Sequence, residues 1–253
     1  MKRVMLRVAY DGTSYHGWQF QPGVNTIEGE LNRALAALTG ENIQVIGASR
    51  TDTGVHALGN IAVFDTNAKI PAEKISYALN SKLPQEIRIL GACQVKQDFH
   101  PRKTATKKTY QYQIWNSPFP NPLRQRYACF TYLPMNDEKM KKAAAYFVGE
   151  HDFQSFCASG STAETTVRRI YDLQVRKRDE EIIIEVTGNG FLYHMVRIIA
   201  GTLMEVGRGR IAPKEIKTIL EAKDRTKAGP TAVAKGLTLM RYYFEDNPEL
   251  NKI

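Results

Sequence analysis

The chain has 253 residues, 43% of them hydrophobic and 24% charged, which leaves little room for extended disorder and suits one large globular domain or two moderate ones. Its formal net charge of +9 and pI near 9.4 favour a polyanionic partner, nucleic acid or an acidic membrane surface, without choosing between them. No apolar run approaches the roughly 20 residues needed to cross a bilayer, Arg7 interrupts any signal-peptide core, and a cytoplasmic protein is the simplest reading.

In chain order, Arg3 to Tyr10 reads as a strand and leads into a polar, glycine-containing loop. A helix follows from about Thr26 to Leu38. Ile27, Leu31, Ala34, Leu35 and Leu38 recur at helical spacing, Asn25 or Thr26 can cap its start, and Gly40 suits its end. Ile43 to Ile46 and Asn60 to Phe64 read as strands on either side of the stretch Arg50-Thr51-Asp52-Thr53-Gly54-Val55-His56-Ala57. Pro71 opens a second helix carrying Ile75, Ala78 and Leu79, and Ile87 to Val95 closes this half as a strand. The polar, basic segment Phe99 to Lys108 then gives way to the alternation of Tyr110, Tyr112 and Ile114, so a domain boundary is expected near Lys103, dividing the chain into 1-103 and 104-253. The second half is expected to hold a helix from about Lys139 to Val148 ending at Gly149, strands at Tyr171 to Arg176 and Ile182 to Val186, a helix from Leu192 to Val206, another from Pro213, and a last strand at Leu237 to Tyr243. This mixture of strands and helices predicts an α/β protein of the α+β type, two similar lobes with helices packed on sheet. No residue-level repeat supports the similarity of the lobes.

Cys93, Cys129 and Cys157 are odd in number and lack the paired spacing of a zinc site or disulfide framework, and the five histidines form no His-Glu-x-x-His pattern. No protein-bound metal is expected. Asp52 stands out because its neighbours Thr51, Thr53 and Gly54 are small, leaving a carboxylate accessible on a connection between strands. Taken alone, Thr-Asp-Thr-Gly better describes a carboxylate that only starts a turn.

The flanks decide between these readings. Arg50-Thr51-Asp52 with Gly54-Val55-His56-Ala57 resembles the catalytic-aspartate motif of the tRNA pseudouridine synthases, specifically the A-type enzymes of the anticodon stem-loop. Tyr10-Asp11-Gly12-Thr13, Tyr15-His16-Gly17-Trp18-Gln19, Thr26-Ile27-Glu28, Phe99-His100-Pro101-Arg102, Lys108-Thr109-Tyr110-Gln111-Tyr112, His151-Asp152-Phe153 and Gly190-Phe191-Leu192 through Met195-Val196-Arg197 to Gly201 match that family in order and approximate spacing. Pro101 and Val233 depart from its pattern, where a small residue and a proline are expected; neither touches a proposed catalytic group. The resemblance implies a largely antiparallel mixed sheet with the catalytic cleft between the lobes, isomerisation of uridine to pseudouridine at positions 38, 39 and 40 of tRNA, a homodimer, and no dissociable cofactor.

That reaction breaks the bond from ribose C1′ to uracil N1, turns the base, and joins C1′ to uracil C5. One ionised carboxylate can serve it, by stabilising a cationic sugar, attacking it, or removing a proton. An aspartate, with an ordinary pKa of about 3.9, is charged at neutral pH. A hydrolytic glycosidase normally needs a second carboxylate, and the nearest, Asp65, lies well along the chain at a strand end. Asp52 is therefore assigned the nucleophile or base. The resemblance makes Tyr110 a substrate-binding residue whose ring could stack on uracil, although alternation alone describes an ordinary core-facing strand. Arg197 carries an independent argument: Leu192, Met195, Val196, Ile198, Ile199, Ala200, Leu203, Met204 and Val206 surround its helix with apolar side chains, so its charge needs a partner. In family terms that partner is Asp52, held by two hydrogen bonds; the competing readings send Arg197 to solvent, Glu205 or Asp152. Arg50 is assigned to substrate phosphate or loop support, and His56 to a hydrogen-bonded loop role rather than catalysis. Arg102, Lys103, Lys107, Lys108, Arg168, Arg169, Arg176, Lys177, Arg178, Arg208 and Arg210 supply candidate phosphate contacts. The alternatives are a noncatalytic tRNA-binding protein or chaperone and, third, a base-removing glycosylase.

Overall fold

The structure is a computed structural model describing residues 1–253, with five α-helices and ten strands in mixed order along the chain. It has the α/β character expected from the sequence. The chain divides into two compact units, one of residues Met1–Thr106 with Leu239–Ile253, the other of Lys107–Thr238.

In the first unit, β1 (Lys2–Tyr10) lies between β4 (Ile87–Val95) and β3 (His56–Thr66), antiparallel to both, and β10 (Leu237–Phe244) lies on the other side of β3. Val4, Met5, Leu6 and Val8 are fully buried in β1. The register of β1 on β3 is irregular between Val8, opposite Asn60, and Tyr10, opposite Ala57. Helix α1 (Ile27–Thr39) begins where the Thr26 hydroxyl accepts from Gly29 N and stops at Gly40, whose φ of +74° suits glycine. Its buried stripe is Ile27, Leu31, Ala34 and Leu35. Helix α2 (Ala72–Asn80) follows Pro71 and buries Ala72, Ile75 and Leu79.

The strand expected at 43–46 is shorter and later. β2 is only Ile46–Gly47, antiparallel to Val63 and Ala62 of β3. Val45 N–H donates instead to Asn32 Oδ1 of α1 at 2.9 Å, so a helix side chain takes the place of a strand partner.

In the second unit, β5 (Thr106–Asn116), β9 (Glu181–Gly188), β8 (Val167–Arg178) and β7 (Gly149–Asp152) follow one another in antiparallel order. β6 (Cys129–Thr131) runs parallel to the end of β5, which makes the strand pairing mixed. Helix α3 (Asp137–Ala144), capped by the Asn136 side chain, tightens into a 3-10 turn over Ala145–Phe147 before Gly149. Helix α4 (Met195–Gly207) starts later than the apolar run from Leu192, because His194 sits at a left-handed φ of +58°. Helix α5 (Glu215–Ala222) completes the unit, preceded by an Ala212 N–H donated to the Glu215 carboxylate at 2.5 Å. No helix is long and apolar enough to cross a membrane.

Candidate active site

Residues Ser49 to Asp52 lie outside the regular strands and alternate in burial. Ser49 and Thr51 are buried, Arg50 is exposed, and Asp52 is half-buried. The burial pattern leaves Arg50 and Asp52 more accessible than Ser49 and Thr51. Ala48 N–H donates to Ile61 O at 2.8 Å and ties the entry of this run to β3. Thr51 is fastened twice: its carbonyl accepts from Trp18 N at 3.0 Å, and its hydroxyl lies 2.7 Å from the Tyr10 hydroxyl. Beyond Asp52 the chain turns, with Val55 N donating to Asp52 O at 3.1 Å and Gly54 N to Tyr15 O at 3.3 Å. Gly54 holds a φ of +76° in this turn.

The loop between β1 and α1, which carries Tyr15 and Trp18, packs closely on this run. Gly17 has a φ of +84°, and a Cβ there would meet Thr51 O at 2.6 Å. A Cβ on Gly12 would meet Val55 O at 2.0 Å, so neither position has room for a side chain. Burial pushes the Tyr15 phenol up to about 12, so it stays protonated at neutral pH. His56 is almost wholly buried at the start of β3; its Nδ1 accepts from Gly12 N at 3.1 Å and lies 3.2 Å from Asp11 Oδ1. These are the contacts of a hydrogen-bonded residue that holds two loops together.

Tyr110 and Arg197 belong to the second unit. Tyr110, on β5 opposite Val186, is buried and packs edge-on against Phe191 with ring centroids 5.2 Å apart. Phe191 lies just before the turn into α4, so the unit brings the Tyr110 ring to the segment that launches the Arg197 helix. In α4 every residue except Arg197 is buried, and Arg197 Nε donates to Ala232 O at 2.8 Å. Both rival partners are engaged elsewhere. Glu205 binds Arg208 at 2.7 Å and Arg210 at 2.9 Å, while Asp152 accepts from Thr166 at 2.6 Å and pairs with Lys223 at 2.9 Å.

The candidate phosphate-binding cations divide in the same way. Arg208 and Arg210 are held by Glu205, and Arg176 by Gln174. Lys107 Nζ and the Arg169 guanidinium lie 4.7 and 5.8 Å from the ring centroid of partly exposed Tyr171, leaving a basic and aromatic surface on β8. No cluster of three or more His, Cys, Asp or Glu side chains is placed to hold a metal ion.

Sequence reasoning passed over Tyr10, Trp18 and Asn60, which hold the Asp52 run in place. The legible signal was Asn60, a lone amide at the head of the apolar run Ile61-Ala62-Val63-Phe64 and fully buried in the structure.

The sequence model of the family described as tRNA pseudouridine synthase matches residues 7–102 and 143–245. A relative from Thermoanaerobacter sp. named tRNA pseudouridine synthase A is 51% identical over 244 residues, covering 96% of this chain and 100% of the relative. Proteins of the same name from Acetivibrio thermocellus and Brevibacillus brevis are each 48% identical, covering 96% and 94% of this chain and 100% and 98% of their own. With its motifs in order and nearly its whole length matched, the chain belongs to the tRNA pseudouridine synthase family.

Proposed function

We propose that this protein is an isomerase that converts uridine to pseudouridine in tRNA, at positions 38, 39 and 40 of the anticodon stem-loop, with Asp52 as nucleophile or base. The observation that carries the reading is a half-buried carboxylate in the family's motif, on a short run whose backbone is fixed before and after it. A site that must add the detached base back to C1′ gains from such fixation, because misplacement of reacting groups is costly.

Arg197 is proposed as the cation that pairs with Asp52 and aims its carboxylate, supported by the engagement of Glu205 and Asp152 with other partners. Tyr110 is proposed to stack on the extruded uracil, since its ring already rests against Phe191 and its hydroxyl offers a proton donor. Arg50, exposed beside Asp52, is proposed to meet substrate phosphate. The net charge of +9 suits a tRNA partner. A cytoplasmic homodimer working without a cofactor completes the reading.

The test is tritium release from tRNA labelled at uridine C5. Isomerisation must send that hydrogen to water. The Asp52→Asn variant should fold and bind tRNA with unchanged affinity while releasing no tritium above background. Turnover by Asp52→Asn at the normal rate rejects the assignment; tRNA binding without release by the wild type points to a noncatalytic binder, and an abasic ribose to a glycosylase.

A further inference from the structure

Beneath the Asp52 run lies a buried polar network that the reaction chemistry does not itself require. Its centre is Asn60 on β3, 0% exposed. Asn60 Oδ1 accepts from Ser49 N at 3.3 Å and from Ile61 N at 2.9 Å, while Nδ2 donates to Ser49 O at 3.0 Å and to the Tyr10 hydroxyl at 3.2 Å. All four valences of the amide are used. By gripping both the N–H and the C=O of Ser49, Asn60 replaces the strand partner that the chain loses as it leaves β2. The Tyr10 hydroxyl then passes the constraint on to the Thr51 hydroxyl at 2.7 Å, and the Ser49 hydroxyl is bonded to the Tyr242 hydroxyl from β10.

The geometry has a directional consequence. Ser49 and Thr51 are the inward residues of an alternating run, and both are fixed through inward side-chain or main-chain bonds. Fixing Ser49 and Thr51 constrains Arg50 and Asp52, each joined directly to a fixed residue. The irregular register between Val8 and Tyr10 matters here: after it Tyr10 stands opposite Ala57, with its hydroxyl in reach of both Asn60 and Thr51. Tyr10 is 4% and Thr51 7% exposed, so water competes little for these bonds.

We propose that Asn60, Tyr10 and Thr51 are positioning residues for catalysis, a buried relay that sets the aim of the Asp52 carboxylate without touching substrate. The inference rests on the proposed catalytic role of Asp52. Loss of the Tyr10–Thr51 hydrogen bond loosens the side chain next to Asp52, which the Trp18 N–H still holds at its carbonyl, and removes no group from the exposed surface. The effect therefore belongs in the rate of the bound complex and not in binding.

The experiment is single-turnover tritium release with saturating enzyme on C5-tritiated tRNA, with tRNA affinity and thermal midpoint measured for each variant. Thr51→Val and Tyr10→Phe should each slow the bound-state rate roughly 10- to 100-fold while affinity stays within about twofold. Thr51→Ser, which keeps the hydroxyl, should recover to within about threefold of wild type. The double variant Tyr10→Phe/Thr51→Val should be no slower than the worse single variant, because Thr51→Val removes only a bond that Tyr10→Phe, which also loses the Asn60 contact, already removes. A structural role alone lowers the thermal midpoint and leaves the bound-state rate of the folded protein at the wild-type value. That result, multiplied losses in the double variant, or failure of Thr51→Ser to recover overturns the proposal. Asp52→Asn is run alongside. If it is inactive while Thr51→Val and Tyr10→Phe are fully active, the positioning inference fails and the catalytic assignment stands; if Asp52→Asn is active, the assignment itself fails.

Discussion

Gly17 offers the sharpest test of whether the Asp52 run must be held where it is. The Gly17→Ala substitution adds one methyl group at a φ of +84°, 2.6 Å from Thr51 O and 3.2 Å from Asp52 C and Thr53 N. Those three atoms are main chain, so no side-chain rotation relieves the clash. Ordinary contact begins at 3.4 Å, so Thr51 O must withdraw by about 0.8 Å, stretching the hydrogen bond it accepts from Trp18 N at 3.0 Å. The left-handed backbone costs an alanine about 1–2 kcal/mol, and the forced shift adds roughly 1–3 kcal/mol. A displacement near 1 Å at a reacting group can cost on the order of 100-fold in rate. Gly23→Ala is the matched control: its φ is +80°, yet a Cβ there meets nothing within 4 Å. Both variants carry the backbone penalty, and only Gly17→Ala moves the carboxylate. Thermal melts should therefore place Gly17→Ala well below Gly23→Ala, and tritium release should show kcat lowered about 100-fold in the first and nearly unchanged in the second. Equal kcat in the two variants would refute the reasoning.

Two further outcomes concern stability. The Arg3 guanidinium binds both oxygens of Asp65, at 2.9 and 2.6 Å, and its hydrogen bonds hold the Asp65 carboxyl below the usual carboxylate range. Because the folded pKa is the lower one, the stabilisation is complete above the unfolded value of about 3.9 and is lost as pH falls through the folded value. Asp65→Asn should thus cost about 1 kcal/mol in urea unfolding at pH 7, with the gap to wild type closing below about pH 4; a gap constant down to pH 3 contradicts this. Ser155, fully buried, donates its hydroxyl to Ile219 O at 2.6 Å and accepts from Asp224 N at 2.8 Å. Ser155→Ala strands both groups and should lower stability by about 2 kcal/mol with an unchanged urea m-value; a loss under about 0.5 kcal/mol would show that water or a local shift replaces the hydroxyl.

By itself the sequence determined those features that short-range physics encodes. Thr26 and Gly40 bracket α1, Ile87 to Val95 alternates into β4 with the bounds observed, and the apolar surround of Arg197 announces a helix buried on all sides but one. The motif around Asp52 was legible through its flanks, Arg50 and Gly54-Val55-His56-Ala57, whose resemblance to a known family needs no knowledge of distant contacts, whereas its small-residue setting alone did not single it out. Tertiary structure decided the rest because partners far apart in the chain decided it. β6 and β7 are three and four residues long and exist through pairing with β5 and β8, so no local period reveals them. β2 shrank because Asn32 of α1 takes Val45 N–H. Arg208 and Arg210, equivalent to any surface cation when read along the chain, are bound by Glu205. The amide of Asn60 became a hub only when the fold carried Ser49 and Tyr10 to it from 11 and 50 residues away, for a buried polar group takes whichever partners the packing delivers.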